Sequence, residues 1–512
     1  MTGNAQFLFP TLPHLTVGVV LQSIVALGHL YILGRCLYNI YFHPLSTYPG
    51  PKLWATSRIP WTYHSIGGHL PDEVYQLHKQ YGPIVRIAPD ELSYTSGTAW
   101  KAIYGARNPE FSKCLDGRGV AGPTSQLKGP NINMVVSEPV RHGRLRRAIA
   151  PAFSERALRG QEEFIQHHSD KLIGQLRRAV RNKPDEPQNL TRWYSLAAFD
   201  IISDLAFGKP AGCLDSFDQP WIQVLGNRTR SLVWMQLAMH YQVEWLLDAF
   251  SPKGTMEARR KHRLLTERKV EERIANPNGK DRRDFMSYII ENESERLTNE
   301  ELNQMASSFI VAGSGTSATA MSGISYFIGR DRTRYNRLVQ EIRTAFATEK
   351  EITLESTARL PYLRAVIEET LRLYPPSPST FPRWVPFREG VELDGCWVPH
   401  GTAVGVHPYS AHRMEDNFRD ALEFVPERWL DQTGGTKYAS DDKAAMKPFS
   451  FGTRDCVGKN LAYAEIRIIM TKLLWNVDFE LVNPSEAWIE KQSTFLMWEK
   501  GPLYVKLRPR IM

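Results

Sequence analysis

Cysteine is scarce: Cys36, Cys114, Cys213, Cys396 and Cys456 are the five in 512 residues. They are odd in number, far apart and never spaced C-x-x-C, which argues against a disulfide framework or a zinc site and for a reducing compartment. Internal repeats and low-complexity tracts are missing, so a solenoid or an array is not expected. Disorder, collagen and coiled coil are excluded by composition, with 42% hydrophobic, 11% aromatic and 23% charged residues. Lys+Arg at 63 against Asp+Glu at 55 leaves a net charge of +8. That excess is mild for this length and does not support nucleic-acid binding, although a basic face for an acidic partner or a membrane surface fits it.

Charge of either sign is also missing from the first 34 residues. Within them, Leu15 to Gly34 is an apolar stretch of 20 residues, broken only by Thr16, Gln22, Ser23, His29 and a few glycines. Such a length spans a bilayer. The first basic residues, Arg35, Lys52 and Arg58, follow the stretch and precede the first acid, Asp72. That arrangement suits a retained signal anchor better than a cleaved signal peptide: residues 1–14 outside, 15–34 in the membrane, the bulk in the cytosol. The prolines of His43-Pro44 and Tyr48-Pro49-Gly50-Pro51 predict a stiff hinge over 35–52, and 53–512 reads as one catalytic domain.

Periodicity predicts a mainly helical chain, with helices near 72–81, 137–150, 155–180, 193–207, 298–328, 330–348, 357–374 and 458–475. A hairpin turned at Pro89-Asp90 and strands within 391–404, with turns at Asp394-Gly395 and His400-Gly401, fill the gaps. The Lys, Arg and Glu of 258–283 read as a solvated helix face and its loop.

The chemistry lies in the C-terminal third. Phe449-Ser450-Phe451-Gly452-Thr453-Arg454-Asp455-Cys456-Val457-Gly458 puts a cysteine after a glycine turn and before a long helix. A helix N-terminus lowers a thiol's pKa and favours the thiolate, as an axial iron ligand requires. Arg454 can reach an anion on the same face. A lone cysteine is more often a small buried hydrophobe.

This string resembles the haem-binding signature of the cytochromes P450, F-x-x-G-x-R-x-C-x-G, at every specified position. Glu369-Thr370-Leu371-Arg372 and Pro426-Glu427-Arg428-Trp429 look like the family's E-x-x-R and P-E-R-F elements, with Trp429 in place of the usual Phe. The resemblance implies a cytochrome P450 fold, mainly α with minor β sheets, and haem b held by the Cys456 thiolate. Phe449, Gly452, Arg454 and Gly458 would surround the haem, and Glu369, Arg372 and Arg428 would form a buried charge cluster behind it. Ser137 can cap a helix carrying His142 and Arg146 one turn apart. That pair resembles the W-x-x-x-R propionate clamp with His for Trp, and Arg383 matches the third propionate-binding arginine. Arg141, Arg144 and Arg147 would leave a basic face on which an acidic electron donor could dock.

Ala312-Gly313-Ser314-Gly315-Thr316-Ser317 resembles the family's A-G-x-D/E-T-T. Thr316 would bind the iron-bound oxygen and organise proton-delivering water. Gly315 departs from the pattern, which carries a carboxylate there; Ser314, Ser317, water or a substrate hydroxyl would have to take over. Two mid-helix glycines cost about 1 kcal/mol each against alanine, so a bend, a close approach or tight packing is expected.

The anchor, the hinge and the phrases Tyr41-Phe42-His43-Pro44-Leu45 and Ala150-Pro151-Ala152-Phe153-Ser154 look most like microsomal, filamentous-fungal secondary-metabolism members. Such a member would be a single-pass endoplasmic reticulum protein facing the cytosol, its catalytic domain monomeric. It would take electrons from NADPH–cytochrome P450 reductase, with cytochrome b5 as a second donor. The expected reaction is hydroxylation of an apolar terpenoid, polyketide or alkaloid. Substrate contacts are expected from Ser112–Asn133, Phe309–Thr316, Ser377–Trp384 and Ser493–Trp498. Gly315 keeps open desaturation, coupling, rearrangement or dehydration without net oxygen insertion, and a non-enzymatic haem protein is the third reading.

Overall fold

The computed structural model describes residues 17–114, 116, 134–216, 228–243, 245, 255–275, 282–292, 295–430, 435–484 and 486–510. Most of the expected Ser112–Asn133 substrate segment (115 and 117–133) and the first residues of the apolar stretch lie outside this set.

Local signals account for the main helices. Asn299–Arg330, the longest at 32 residues, begins with a capping box in which Thr298 and Glu301 satisfy each other's backbone N–H groups. Glu155–Asn182 is capped by Ser154 and Leu190–Phe207 by Asn189. Pro361–Leu373 starts on a proline at its first position and stops before Pro375-Pro376. Lys459–Asn476 follows Gly458. The helices 299–330, 190–207, 361–373 and 459–476 pack into the principal core, where Ile310, Ile324, Leu363, Val366 and Leu473 are fully buried.

The strands form small sheets to one side. β1 (Ile84–Ala88) and β2 (Glu91–Tyr94) make the expected hairpin, β2 runs parallel to β7 (Ala403–Val406), and β4 (Arg383–Trp384) completes the order β1-β2-β7-β4. β5 (Val391–Leu393) and β6 (Cys396–Val398) turn through Asp394 and Gly395, both with positive φ. This two-residue connection, with positive φ at both positions, is the kind that closes a tight hairpin. β3 (Gln188–Asn189), β11 (Tyr504–Pro509) and β8 (Val477–Leu481) form a second sheet, and β9 (Ser493–Phe495) pairs with β10 (Met497–Glu499).

Three expectations change here. The apolar helix, Val17–Tyr41, runs past Gly34; its most apolar part is unburied, while Asn39 near its end is buried. The proline segment after it is docked: Leu45 is fully buried, the Tyr48 hydroxyl bonds the Trp397 carbonyl and the Pro49 carbonyl accepts from the Arg86 N–H. Packing against the sheets fixes this segment. Ser137 is not a cap either. The Pro139–Ile149 helix follows Glu138 without a side-chain cap, and the Ser137 hydroxyl donates to the Met134 carbonyl at 3.0 Å. The short turn Met134–Val136 gave it a nearer acceptor.

Candidate functional site

The Cys456 loop is held by backbone geometry. Gly452 has φ +80°, and a Cβ there would lie 1.9 Å from the Tyr104 carbonyl oxygen, so only glycine fits. The Cys456 N–H closes the loop on the Phe449 carbonyl at 2.9 Å, while the Phe449 ring packs on Tyr463 at 5.2 Å. A Cβ on Gly458 would come to 4.0 Å from the Cys456 sulfur. Arg146 grips the loop from the side, donating to the Asp455 carbonyl and to Asp455 Oδ1, each at 2.7 Å.

Cys456 is an exposed residue, yet its thiol is desolvated. Burial pushes its thiol pKa up; the Gly458 N–H and the Arg146 guanidinium oppose this without overcoming it. The expected lowering by the helix end is thus outweighed by desolvation in the bare protein. An exposed residue with a desolvated thiol looks into an internal gap rather than bulk water. Ala312 is exposed and Thr316 half-exposed in the middle of a helix that is otherwise largely core, the same mark of a gap.

Beside the loop, cations gather. Arg454 donates to Glu110 at 2.7 Å and to the Ser137 carbonyl at 2.8 Å; Arg383 Nη1 lies 4.0 Å from the same Glu110 carboxylate; Lys113 donates to the Val135 carbonyl. Three cations share one carboxylate. Burial and the charges of Arg383 and Arg454 hold the Lys113 pKa well below its usual value. Burial and the neighbouring cations Arg454, Lys113, Arg146 and Arg383 lower buried His142 to about 3, leaving its ring neutral. Arg383 Nε and Arg454 Nη2 are buried without a hydrogen-bond partner among the described residues. Unpaired buried guanidinium N–H groups and uncompensated positive charge are what a group with two carboxylates would satisfy, so the residues present fit a haem.

The structure therefore brings Cys456, Arg454, Arg383 and His142 to one region and turns Arg146 onto Asp455. The expected basic face is partly neutralised: Arg141 and Arg144 both pair with Glu301, and Arg147, still largely exposed, pairs with Glu295 at 2.6 Å. Those acids are more than 140 residues away in sequence, so composition could not place them.

The two glycines have different reasons. A Cβ on Gly313 would sit 2.7 Å from Ile202, so this position serves close helix packing. A Cβ on Gly315 would meet nothing within 4 Å. The Thr316 hydroxyl bonds the Ala312 carbonyl at 2.7 Å. Ser314 and Ser317 are buried; Ser314 bonds the Ile310 carbonyl, and Ser317 bonds Glu465, whose carboxyl burial pushes up to about 8.

Behind the site, Glu369 receives both arginines: Arg372 at 2.7 and 2.9 Å and Arg428 at 3.0 Å, all three side chains fully buried. Arg428 also reaches Asp441 at 2.5 Å, and the Trp429 indole N–H donates to Glu369 at 2.8 Å. Burial alone would raise the Glu369 pKa, but Arg372 and Arg428 hold it below the usual carboxylate range. The Arg372–His412, Arg372–Ala421 and Arg372–Glu423 carbonyl bonds tie the helix to the following loop.

Of the expected substrate segments, Phe309 and Trp498 are core. Phe309 packs on Phe153 and Phe285, and Trp498 stacks on Tyr374 and bonds the Pro375 carbonyl. Ser379, Thr380, Thr494 and Leu496 instead line a cavity with Trp61 and Val233, into which the Thr380 and Thr494 hydroxyls bring no internal partner.

The model of the family "Cytochrome P450" matches residues 48–507. Cytochrome P450 monooxygenase alt3 of Alternaria solani is 49% identical over 491 residues, 96% of this chain and 94% of that protein. Cytochrome P450 monooxygenase alt1 of the same fungus is 47% identical over 96% of this chain and 95% of its own. Averantin hydroxylase of Dothistroma septosporum is 36% identical over all of this chain and 95% of its own. With the cysteine loop, the charge cluster and the helical fold in place, the chain belongs to the cytochrome P450 family and is a monooxygenase that uses haem with a cysteine thiolate ligand.

Proposed function

We propose that the chain is a membrane-anchored monooxygenase that hydroxylates an apolar small molecule of fungal secondary metabolism, a terpenoid, polyketide or alkaloid. Cys456 carries this reading: an exposed cysteine in a glycine-shaped loop, flanked by two guanidinium groups with unpartnered N–H donors. Haem b, held there with Cys456 as its thiolate ligand, would supply oxygen activation. Arg454 and Arg383 would hold the propionates, and neutral His142 would donate beside them. Arg146 orients the cysteine loop through Asp455. Thr316, whose hydroxyl proton goes to the Ala312 carbonyl, would offer its oxygen as an acceptor on the oxygen side of the gap, with Ser317 behind it and Gly315 leaving room for water. The cavity lined by Ser379, Thr380, Thr494 and Leu496 draws on two of the expected substrate segments, 377–384 and 493–498, and carries Glu91, Gln236 and His407 on its wall as well.

The apolar helix from Gly18 to Tyr41 supports a single-pass anchor in the endoplasmic reticulum, the catalytic domain on the cytosolic side as a monomer. Electrons then come from NADPH through cytochrome P450 reductase, with cytochrome b5 as second donor. Hydroxylation is the reaction named for the averantin hydroxylase relative. Turnover of extracts of candidate metabolites with NADPH, reductase and labelled dioxygen tests the reading. One labelled oxygen atom in the product is expected; an altered product without label would instead support the second reading, rearrangement or coupling, which Gly315 favours by removing a carboxylate proton donor.

A further inference from the structure

Gly315 removes a carboxylate from the middle of the Asn299–Arg330 helix, but ionisable chemistry still reaches that point. Lys500, just beyond β10, places Nζ 2.7 Å from Thr319 Oγ1 and 3.5 Å from the Gly315 carbonyl oxygen. Thr319 in turn donates to that same Gly315 carbonyl at 2.7 Å. The ammonium is thus fixed at the helix turn where the family pattern carries its acid, although Lys500 is 185 residues away in sequence.

We propose that Lys500 is the proton-relay residue of this monooxygenase, acting through the open space beside Gly315 in place of a carboxylate at that position. This rests on the reading of Thr316 as the residue on the oxygen side of the gap. Three observations point to it besides the contact. The space is real, since a Cβ on Gly315 would meet nothing within 4 Å, whereas one on Gly313 would strike Ile202. No ion pair engages Lys500 among the described residues, while the nearby charges are committed elsewhere: Glu499 to Arg230 and Lys491 to Glu486. A desolvated ammonium without a counter-ion is unfavourable for folding, so packing alone gives no reason for it. Burial lowers its pKa to about 8, with no charged neighbour contributing, and the helix facing it presents only the Thr319 hydroxyl and the Gly315 carbonyl. A group that titrates near neutrality is matched to giving up a proton and regaining it.

In the relay, the Lys500 N–H bond breaks toward a water beside Gly315. That water passes one of its own protons to the Thr316 side of the gap. Lys500 as a whole residue is half-exposed, and the neutral amine, itself desolvated, regains its proton from solvent. No electrons move in this exchange. Lys500 acts through water and is a positioning and relay residue, not a contact of the reacting atoms.

The test uses the full-length, haem-loaded chain with purified reductase, comparing wild type, Lys500→Met, and Lys500→Met combined with Gly315→Asp. NADPH consumption under dioxygen needs delivered protons, whereas guaiacol oxidation driven by hydrogen peroxide brings its own. Lys500→Met is expected to slow NADPH consumption at least tenfold and leave the peroxide-driven rate within twofold. Adding Gly315→Asp is expected to restore most of the loss. Equal loss in both reactions, no loss in either, or no rescue overturns the proposal and leaves Lys500 as a structural tether. Competitive acetylation of Lys500 across pH, read by mass spectrometry of its peptide, separates this from failure of the broader reading. A labelling midpoint near 8 is expected even if the wild type consumes no NADPH, and a midpoint at the ordinary lysine value overturns the relay.

Discussion

Trp429 donates its indole N–H to Glu369 across 2.8 Å, in a position where the family pattern carries phenylalanine. The departure adds a donor to a carboxylate already holding Arg372 and Arg428, and Asp441 balances the second arginine. Two carboxylates and two guanidiniums therefore meet with no exposed surface.

Breaking that cluster leaves an uncompensated buried charge. Glu369→Gln should destabilise the protein by about 3–5 kcal/mol, whereas Trp429→Phe, which removes one bond to a charged acceptor, should cost about 1.5–3 kcal/mol. Chemical denaturation midpoints of the haem-loaded protein check the order.

The two glycines should answer oppositely to alanine. Gly315→Ala meets open space and should stabilise the helix by about 1 kcal/mol, while Gly313→Ala presses on Ile202 and should cost about 1–3 kcal/mol. Thermal unfolding of both variants measures the difference in sign.

Glu465 gives a pH signature. Its carboxyl is raised to about 8 by burial, so the folded state binds a proton that the unfolded state releases above its ordinary value near 4.5. The contribution is fully present below pH 4.5, and stability falls as pH rises toward 8, by a few kcal/mol at most. Glu465→Gln should flatten that slope and be the more stable protein at pH 8, as urea unfolding at pH 5 and pH 8 would show.

Arg383 and Arg454 should matter for haem retention more than for folding. Arg383→Ala removes a side chain whose Nε has no internal partner, and transfer of haem to an acceptor globin should quicken by roughly tenfold if about 1.4 kcal/mol of binding is lost. Secondary structure by circular dichroism should be unchanged.

What the sequence makes legible is what is local. The long helices follow their periodicity and caps, and the cysteine loop, E-x-x-R pair and Pro426–Trp429 turn carry their chemistry within a few residues. Partners fixed by tertiary packing are not legible that way. Arg141, Arg144 and Arg147 look like a free basic face until Glu301 and Glu295 are folded against them. Arg146 meets Asp455 across 309 residues, and Lys500 meets Thr319 across 181. Ser137 has cap chemistry, but the turn before it supplied a closer acceptor. Trp498 has the composition of a pocket wall and is held in the core by Tyr374 and the Pro375 carbonyl.

The most direct measurement is the Soret band of the purified, reduced protein under carbon monoxide, wild type beside Cys456→Ser. Thiolate ligation by Cys456 predicts a strongly red-shifted band in the wild type that is lost in the variant. A wild-type band like that of a histidine-ligated haem, or a red-shifted band that survives Cys456→Ser, would contradict the assignment of Cys456 as the iron ligand.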